Sequence, residues 1–575
     1  MSPALDHEFV RAVAGAADRL AAPLVAGPDE DPAGVPHRAL ARRVKTLIAA
    51  YRSPDSALHG SRRAVAAATT HLRALRAVQT STGLFAGGDN VQSPPDSGFT
   101  VNDVCDAHVL AAGAGPELRD VTAALAQIAG AASGGLLAGG VHTPNHRWEL
   151  CAALARLHRS FPDDRLLDRV GEWLGEGVDI DADGLYSERS ANYAAHVSNP
   201  SLLLLADVLG RADLLGAVER NLATTLDLIR PDGTVETVHS RRQDQNHPFP
   251  LAPYLPHYRL LAIRTGRGDF SRAALLAAAG GIDDPDLLAE TLLTPDLCRA
   301  LPAPAAEPLP RDRYLTTARL AARASATAHT VVYGGSDVPE HRRIRSGLAC
   351  NPTFLRLFAG DAVLDAVRLS RGFFDLGPFR AAAVQQPADN RYRLTETLTA
   401  AYYQPLSRDR RRSDGAYRMA DEGRFSAAMA FPDRPRDEVS HTTHVEVDLT
   451  EDGADLRIDI SGPRVPWSLE LTFRPGGVPE GAVPIGDGRW CLTAGPMTYR
   501  VGDDEIRVEA DVASGEPLAG PDRSDVLRYD PGQDYSVVGG TDATTGNRVY
   551  IGGLGPHTLT VALRARREPG LGLSA

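Results

Sequence analysis

Residues 444–460, "HVEVDLTEDGADLRIDI", carry the strongest secondary-structure signal in the sequence. Apolar and polar residues alternate over Val445–Leu449 and again over Leu456–Ile460. This alternation gives a strand one apolar face, and the intervening Asp452 and Gly453 favour a tight turn. We therefore predict an antiparallel β-hairpin here.

Short apolar stretches of similar character occur on both sides of this hairpin. They include "NPTFLRLFAGDAVLDAVRL" at 351–369 and "RVYIGGLGPHTLTVALRAR" at 548–566. Repeated short strands with turn residues between them are typical of two packed antiparallel sheets. We predict that residues 313–575 form an antiparallel β-sandwich domain.

The first half of the chain has a different period. In "GAVERNLATTLDLIRPDG", residues 216–233, Val218, Leu222 and Leu226 recur every four residues, as on one face of a helix. Similar spacing recurs throughout residues 1–298, which predicts an (α/α) toroid domain. Four prolines in residues 299–312 predict an extended linker. The predicted fold class is thus α+β multidomain, with the N-terminal toroid followed by the C-terminal sandwich.

Composition excludes several functional classes. A net charge of -12 over 575 residues argues against nucleic acid as a partner. The N-terminus lacks a basic start followed by an uninterrupted apolar stretch, and no apolar run reaches about 18 residues, so we expect a cytoplasmic protein with no membrane partner. No phosphate-binding glycine loop, HExxH or paired CxxC occurs, so we expect no cofactor and no metal.

Three short polar groups in the helical half carry candidate chemistry. They are "TPNHRWEL" at 143–150, "DADGLYSERSANYAAHVSNP" at 181–200 and "RPDGTVETVHSRRQDQN" at 230–246. Each has an ordinary interpretation, because an asparagine can cap a helix, a glutamate can pair with an arginine, and a tyrosine can pack in a core. In a toroid, however, the loops at one end line a single cleft, so that the three groups could converge on one ligand.

The order of these motifs resembles the heparinase II/III-like polysaccharide lyases. Asn-His at a helix start is followed by "DG…E…Y", then "PDG", then a proline-rich connection to a β-domain. The resemblance implies an α/α toroid with a β-sandwich, an active site between them, and an acidic oligosaccharide or polysaccharide as substrate. It also implies proton transfer by Tyr193, carboxylate contacts from Asn145 and His146, and a histidine early in the β-domain, here His341.

The family's β-domain zinc is not expected here. Its Gly-His-x-His-x-Asp setting is reduced to His341 in "PEHRRIRSG", without the second histidine and the aspartate. Arginine does not release its proton to bind metal, so the neighbouring arginines cannot replace these ligands. They could instead recognise acidic groups on the substrate.

These residue types suit β-elimination from a uronic acid. Asn145 and His146 would neutralise the sugar carboxylate and stabilise the enolate-like state. Tyr193 would act as the acid on the leaving oxygen, or on both steps of a syn elimination, with His341, or else His196 or His239, as a separate base.

Further substrate contacts are predicted around these groups. Residues 83–108, "GLFAGGDNVQSPPDSGFTVNDVCDAH", are predicted as a loop with groups for sugar hydroxyls, with an ordinary connecting loop as the equal alternative. The predicted substrate-binding residues are Glu188, His196, His239, Arg241, Arg242, Arg342, Asp96 and Asn102.

Two other functions remain open on sequence alone. A glycoside hydrolase on the same toroid would pair Asp96 or Asp103 with Asp183 or Glu188. A non-catalytic carbohydrate-binding protein could keep the same shape without turnover. A homodimer is a further expectation, and the identity of the glycan stays open.

Overall fold

The computed structural model describes residues 4–27, 32–87, 91–341, 347–486, 488–493, 495–511 and 545–567. The chain forms two compact units. The first comprises Met1–Leu226 with Pro250–Glu307, and the second comprises Asp227–Phe249 with Pro308–Ala575. The first is helical and the second is built of strands, which confirms the predicted fold class of a helical toroid with a β-sandwich.

The helical unit arranges its helices so that neighbours in the chain pack in pairs, with α4 and α6 in contact near its centre. Most residues of both helices are buried. The helices are α1 His7–Ala26, α2 His37–Arg52, α3 Arg62–Ala77, α4 Pro94–Ala111, α5 Arg119–Ala138, α6 Pro144–Ser160, α7 Asp164–Leu174, α8 Ala191–Tyr193, α9 Asn199–Leu209, α10 Ala212–Leu228, α11 Leu255–Thr265, α12 Gly268–Ala278 and α13 Leu287–Leu293; α14, Val338–His341, lies in the second unit.

Amphipathic spacing explains the outer helices. In α10 the predicted stripe of Val218, Leu222 and Leu226 is buried, and Pro231 with Gly233 follows the helix end. Within the described residues, one helical stretch, Pro116–Ala138, is long and apolar enough to cross a membrane by length and composition. This stretch is 33% buried and contains α5, which packs against α3, α4 and α6.

The second unit contains two large sheets. Their strand orders are β15-β18-β19-β21-β13-β12-β9-β8 and β16-β17-β20-β14-β7-β6-β5-β4-β3. The strands are β1 Thr234–Val235, β2 Phe249–Pro250, β3 Arg311–Leu315, β4 Leu320–Ala324, β5 His329–Tyr333, β6 Leu355–Ala359, β7 Ala362–Arg371, β8 Ala383–Ala388, β9 Arg391–Tyr403, β10 Ala420–Asp421, β11 Ser426–Ala427, β12 Arg436–Leu449, β13 Gly453–Ser461, β14 Pro466–Phe473, β15 Pro479–Glu480, β16 Val483–Gly486, β17 Arg489–Cys491, β18 Pro496–Val501, β19 Asp504–Asp511, β20 Asn547–Leu554 and β21 His557–Arg566.

The predicted hairpin is β12 and β13. These strands pair antiparallel with Val445 opposite Ile458 and Leu449 opposite Ala454. The side chains of Val445, Ile458 and Ala454 are buried in one core that both large sheets share. The sandwich is mainly antiparallel, and β17 with β20 forms a parallel pair.

Residues 227–249 differ from the predicted division, which placed them in the helical domain. They belong to the strand-built unit because their charged side chains find partners there. The pairs are Asp227 with Arg311 and Arg313, Asp232 with Arg474, Glu236 with Arg356, and Arg241 with Asp337. The chain therefore passes from one unit to the other near residues 226 and 249 as well as within the proline-rich segment 299–312.

Candidate active site in the helical unit

The start of α6 is held by a carboxylate from the segment that carries Tyr193. Pro144 occupies the first turn of α6, where the backbone N–H groups have no partner inside the helix. Glu188 Oε2 accepts hydrogen bonds from the backbone N of Asn145 at 3.1 Å and from Asn145 Nδ2 at 2.6 Å. Both side chains are buried. Two of the three predicted polar groups therefore meet at this point.

This contact fixes the orientation of the Asn145 amide. Nδ2 donates to Glu188 and, at 3.3 Å, to Thr143 Oγ1. The reverse orientation would place two oxygen atoms in contact, so the carboxylate selects the present one. Asn145 Oδ1 is then left buried, with no hydrogen-bond partner in the described part of the chain. The predicted contact of Asn145 with a sugar carboxylate stays a prediction.

A tight turn positions Glu188. Asp181 Oδ1 accepts from the backbone N of Asp183 at 3.0 Å and of Leu185 at 2.9 Å. Gly184 has a φ of 89°, and a Cβ there would lie 2.5 Å from Thr224 Oγ1, so this position requires glycine. The turn thereby delivers the following segment to the start of α6.

Tyr193 lies at a local change of helix geometry. It ends α8, and a π-helical turn over Ala194–Ser198 leads from it into α9. Single π-helical turns within helices are rare and are frequent at functional sites. This turn packs against α6, the helix that begins with Asn145 and His146. The segment of Tyr193 and the Asn-His pair thus belong to adjacent, contacting elements.

Tyr193 differs from the other tyrosines of this region. Tyr186, Tyr254 and Tyr258 are buried, and their hydroxyl groups donate to Asn199 Oδ1, to the carbonyl of Ala191 and to the carbonyl of Leu222. Tyr193 is only half-buried. Its side chain is therefore not sealed in the core, as a proton-transfer role requires.

His146 belongs to a row of ring contacts on α4 and α6. Its ring lies 4.6 Å from that of His142 and 6.5 Å from that of Phe99, edge-on in both cases. Arg38 on α2 stacks over the Phe99 ring at 4.0 Å from its centroid. His146 and Phe99 are half-buried and His142 is exposed, so that part of this row reaches the surface.

The loop predicted over residues 83–108 is wrong for most of its length. Residues from Pro94 onward form α4, because Ser93 caps the helix through the backbone N of Asp96 and the prolines fit its first turn. Asp96 is buried and paired with Arg38. Its carboxylate is thus engaged inside the protein.

Asn102 is wrong as a sugar ligand. It is buried on α4, where Nδ2 donates to Glu149 Oε1 at 2.6 Å and Oδ1 accepts from Arg156 at 3.1 Å. Sequence reasoning also missed Glu149, although a carboxylate among the apolar residues of α6 was a signal. Burial raises the pKa of Glu149 to about 7, against the lowering effect of the Asn102 hydrogen bond.

Asp103 is also buried within the helices. Lys45 Nζ lies 2.6 Å from its carboxylate and 3.3 Å from that of Asp286. Burial raises the pKa of Asp103, and the Lys45 charge opposes this shift. As a candidate hydrolase carboxylate it is therefore neutralised by an internal partner.

His196, three residues after Tyr193, lies in the π-helical turn and reaches solvent with part of its ring. Burial among protein atoms lowers the pKa of His196. The negative charge of Asp284 opposes this shift, and the positive charge of Arg42 adds to it. Its predicted roles, in substrate binding and as an alternative base, stay predictions.

The third predicted group lies in the other unit. His239 is buried there close to Glu236. Arg241 donates from Nε and Nη2 to the two oxygens of Asp337, at 2.8 and 3.0 Å, and Arg242 is half-buried beside it. Arg241 therefore forms a bidentate ion pair within the strand-built unit. Residues 230–246 and Asn145 belong to different units.

His341 is exposed at the end of α14 in the strand-built unit, and its role as a separate base stays a prediction. Arg342 lies outside the described residues. Where the structure describes the chain, no group of three or more histidine, cysteine, aspartate or glutamate side chains could hold a metal ion.

Comparisons with known proteins identify the fold. No family model matches the sequence, and no curated protein matches it. The structure is similar to that of heparinase III, with a TM-score of 0.55 and 11% identity over 92% of this chain and 76% of that one. It is similar to the chondroitin AC lyase of Streptomyces coelicolor A3 in complex with chondroitin sulphate, with a TM-score of 0.54 and 13% identity over 97% and 80%. The chain thus has the fold of these polysaccharide lyases.

Proposed function

We propose that this chain, which shares the fold of heparinase III and chondroitin AC lyase, is a lyase that cleaves a uronic-acid-containing glycan by β-elimination. The observation that carries the proposal is the contact between Glu188 and Asn145. It joins the segment of a half-exposed Tyr193 to the helix start that bears His146. Fold likeness alone does not establish function, so the proposal depends on these residues.

The reaction removes the proton from C5 of the uronic acid, breaks the C4–O4 bond and leaves a C4=C5 double bond. His146, as the imidazolium, would donate a hydrogen bond to the sugar carboxylate and stabilise the charge that develops on it. Asn145 Oδ1 would accept a hydrogen bond from a sugar hydroxyl or from the protonated carboxyl group. Buried acceptors without a partner cost free energy, so a ligand donor here contributes to binding.

Tyr193 would transfer the proton. As the phenolate it would take the C5 hydrogen, and as the phenol it would return that proton to O4 of the leaving sugar, in a syn elimination. One group can serve both steps in those uronic acids whose C5 hydrogen and O4 lie on the same face of the ring. A positioned acid or base of this kind contributes about 10²- to 10⁴-fold to a rate.

The hydrolase alternative has less support within the helical unit. It needs one carboxylic acid and one carboxylate that face the same bond. Asp96 is paired with Arg38, Asp103 with Lys45, and Glu188 with Asn145. These candidate carboxylates therefore already have internal partners.

A screen of uronate-containing glycans tests the proposal. The purified protein is incubated with glycosaminoglycan, alginate and glucuronan preparations while absorbance is followed in the ultraviolet, where the unsaturated product absorbs. We expect an increase with at least one glycan for the wild type and none for Tyr193→Phe. A new reducing end without this absorbance would instead identify a hydrolase.

Tyr186→Phe is the matched control. It removes a hydroxyl from the same segment, but that hydroxyl is buried against Asn199. We expect this variant to lose some stability and to keep its turnover. Equal loss of turnover in both variants would mean that the segment is merely structural, and binding of a glycan without any product would support the non-catalytic alternative.

A further inference from the structure

A buried polar cluster lies in the strand-built unit, on the face of β5 and β6 opposite the core that the two large sheets share. Leu355 and Leu357 of β6 belong to that core. Side chains alternate between the two faces of a strand, so that Arg356 and Phe358 lie on the opposite face. His329 of β5 is the neighbour of Phe358 across the strands, and their rings are 5.8 Å apart. This face therefore carries a guanidinium, an imidazole and a phenyl ring.

Residues 227–249 cover this face and add a second guanidinium and a carboxylate. The Arg230 guanidinium carbon lies 5.1 Å from the centroid of Phe358. Arg356 Nη1 donates to Glu236 Oε1 at 2.7 Å, and Arg230 Nη1 donates to Glu236 Oε2 at 3.4 Å. One carboxylate thus contacts both guanidinium groups. We name the Glu236 cluster after it and define it as Arg230, Glu236, His329 and Arg356.

The Glu236 cluster keeps two cations and one carboxylate away from solvent. The side chains of Arg230 and Glu236 are 1% exposed, and that of Arg356 is 8% exposed. Burial lowers the pKa of Arg230 although Glu236 opposes this shift, and the charge of Arg356 adds to the lowering. Uncompensated buried charge is costly in a folded protein. The cluster therefore contains one more positive charge than its own carboxylate offsets.

The nearest other carboxylates belong to a separate group that includes Arg474. Asp232 Oδ1 lies 3.8 Å from Arg230 Nε, but its other oxygen lies closer, 2.6 Å, to Arg474 Nη1. Asp365 lies 3.1 Å from Arg474 Nη2. The side chains of this second group are between 19% and 31% exposed, so that water screens their charges. They offset the buried charge of the Glu236 cluster only weakly.

The hydrogen-bonding atoms of the cluster lead to the same inference. Among the residues that the structure describes, Arg230 Nη2, Arg356 Nε and His329 Nε2 are buried without a hydrogen-bond partner. Both arginine atoms always carry N–H groups, and His329 Nε2 carries one in one tautomer of the imidazole. Buried donors of this kind are normally satisfied in folded proteins, by protein atoms, by water or by an ion. Three donors and a positive charge in one place favour an anion.

We propose that the Glu236 cluster binds a small monovalent anion, of the class of chloride, bromide and nitrate, between Arg230 and Arg356. A single negative charge would offset the excess, whereas a dianion would reverse it. The anion would accept hydrogen bonds from both guanidinium groups and from His329. It would hold residues 227–249 against β5 and β6, because Arg230 belongs to the first element and Arg356 to the second. This inference does not depend on the proposed lyase function.

Bromide tests the position of the anion, because it gives an anomalous X-ray signal at its absorption edge. The full chain is crystallised in sodium bromide and, for comparison, in sodium gluconate. We expect an anomalous peak within hydrogen-bonding reach of Arg230 Nη2 and Arg356 Nε in the bromide crystals. Electron density at this place without an anomalous signal would identify water and overturn the proposal.

Hydrogen–deuterium exchange tests the hold on residues 227–249 in solution. The backbone N–H groups of Thr237 and Val238 donate to Glu236 Oε1, so their exchange reports on the cluster. Exchange is measured in sodium chloride, bromide, nitrate and gluconate at one ionic strength. We expect the three small anions to slow exchange about 10-fold at saturation relative to gluconate, which is a larger organic anion.

Arg356→Gln removes the excess charge and leaves Glu236 paired with Arg230. The difference between chloride and gluconate should then disappear. Arg371→Gln is the matched control, because Arg371 is a buried guanidinium of the same unit that has its own carboxylate, Glu396. This variant should lose stability and keep the difference between the anions. The bromide crystals of the wild type decide the question if Arg356→Gln does not fold.

The outcomes are distinct from those of the lyase assay. Bromide at the Glu236 cluster, together with anion-specific protection that is lost in Arg356→Gln and kept in Arg371→Gln, supports the inference. Protection that is equal in chloride and gluconate overturns it, and so does a chloride effect that persists in Arg356→Gln. Loss or retention of turnover in Tyr193→Phe leaves each of these results unchanged, since Tyr193 belongs to the helical unit.

Discussion

Two segments of this chain look alike in sequence and differ in the structure. Residues 187–198 follow Asp183-Gly184, residues 230–246 contain Asp232-Gly233, and both segments carry histidine, arginine and amide side chains. The first lies in the helical unit, with a half-exposed Tyr193 beside a π-helical turn. The second lies in the strand-built unit, where its charges are paired. Segments of similar polar composition thus differ in the exposure and in the partners of their side chains.

The carboxylates of the two units show the same contrast. In the second unit Glu236 is buried, but the guanidinium groups of Arg356 and Arg230 outweigh burial and lower its pKa to about 2. In the helical unit burial prevails and raises the pKa of Glu149 to about 7. A carboxylate between two arginines stabilises a fold, whereas one whose pKa is near neutral can change charge under working conditions.

The largest effect is expected from Tyr193→Phe, which changes the half-buried tyrosine of residues 187–198. Loss of the hydroxyl removes the proposed acid and base together, so kcat should fall by about 10³-fold or more. The free energy of unfolding should change by less than about 1 kcal/mol, because this side chain is half-buried. Ultraviolet product assays and denaturant unfolding measure the two quantities. A large loss of stability with little loss of turnover would contradict a functional role for this segment.

Glu236→Ala tests the buried ion pairs of the second unit. The variant leaves Arg230 and Arg356 buried without their carboxylate, so the free energy of unfolding of the second unit should fall by about 3 to 5 kcal/mol. Asp312→Ala is the control, because Asp312 pairs with Arg323 at the surface of the same unit and should cost less than about 1 kcal/mol. Equal costs for the two variants would refute the distinction.

The pH dependence of stability should differ in sign between the units. Glu149 has a folded pKa of about 7, above its ordinary value of 4.5, so its contribution is fully present below about pH 4.5 and is lost as the pH rises to 7. Glu236 has a folded pKa of about 2, so its contribution is present above about pH 4.5 and is lost as the pH falls to 2. Each shift corresponds to about 3 kcal/mol.

Glu149→Gln isolates the first of these effects. Glutamine keeps an oxygen for the Asn102 hydrogen bond and does not titrate. Its free energy of unfolding, compared with that of the wild type, should rise by about 3 kcal/mol between pH 4.5 and pH 8. Denaturant titrations at several pH values measure this difference. A difference independent of pH would show that the pKa of Glu149 is the same in the folded and unfolded states.

Much of the fold was predictable because its signals are local. The alternation around Val445 and the turn at Gly453 define β12 and β13 without knowledge of the rest of the chain. The sequence also indicated Asn145, His146 and the "DG…E…Y" segment as candidate site residues. Their contact through Glu188 was not predictable, because a hydrogen bond between residues 43 positions apart depends on how α6 packs.

The wrong predictions have a common cause. Residues 83–108 contain paired glycines and prolines, which favour a loop, but prolines are also accepted in the first turn of a helix. The structure uses them to begin α4, and this buries Asn102 against Glu149. Residues 230–246 follow the end of α10, a helix of the first unit. They nevertheless belong to the second unit, where their charged side chains form ion pairs. Local composition does not encode such long-range pairing.

A smaller effect is expected at Glu188, which would act on the ligand through its hydrogen bond with Asn145. Glu188→Ala frees the amide to rotate and removes a charge-assisted hydrogen bond, so kcat/KM should fall by about 10- to 100-fold. Glu188→Gln keeps an oxygen that can accept both hydrogen bonds and should restore most of the activity. Steady-state kinetics of the two variants measure this rescue. Failure of glutamine to rescue would mean that the charge itself takes part in the reaction.

The smallest effect, at Arg241, decides whether residues 230–246 also contact substrate. Lysine keeps the charge but cannot make the two parallel hydrogen bonds to Asp337, so Arg241→Lys should lower the free energy of unfolding by about 1 to 2 kcal/mol. Asp337→Asn weakens the same ion pair from the other side and should have a similar cost. If the pair is structural, KM stays within about twofold in both variants. If KM rises in Arg241→Lys but not in Asp337→Asn, Arg241 binds substrate as well, since only that variant changes the guanidinium itself.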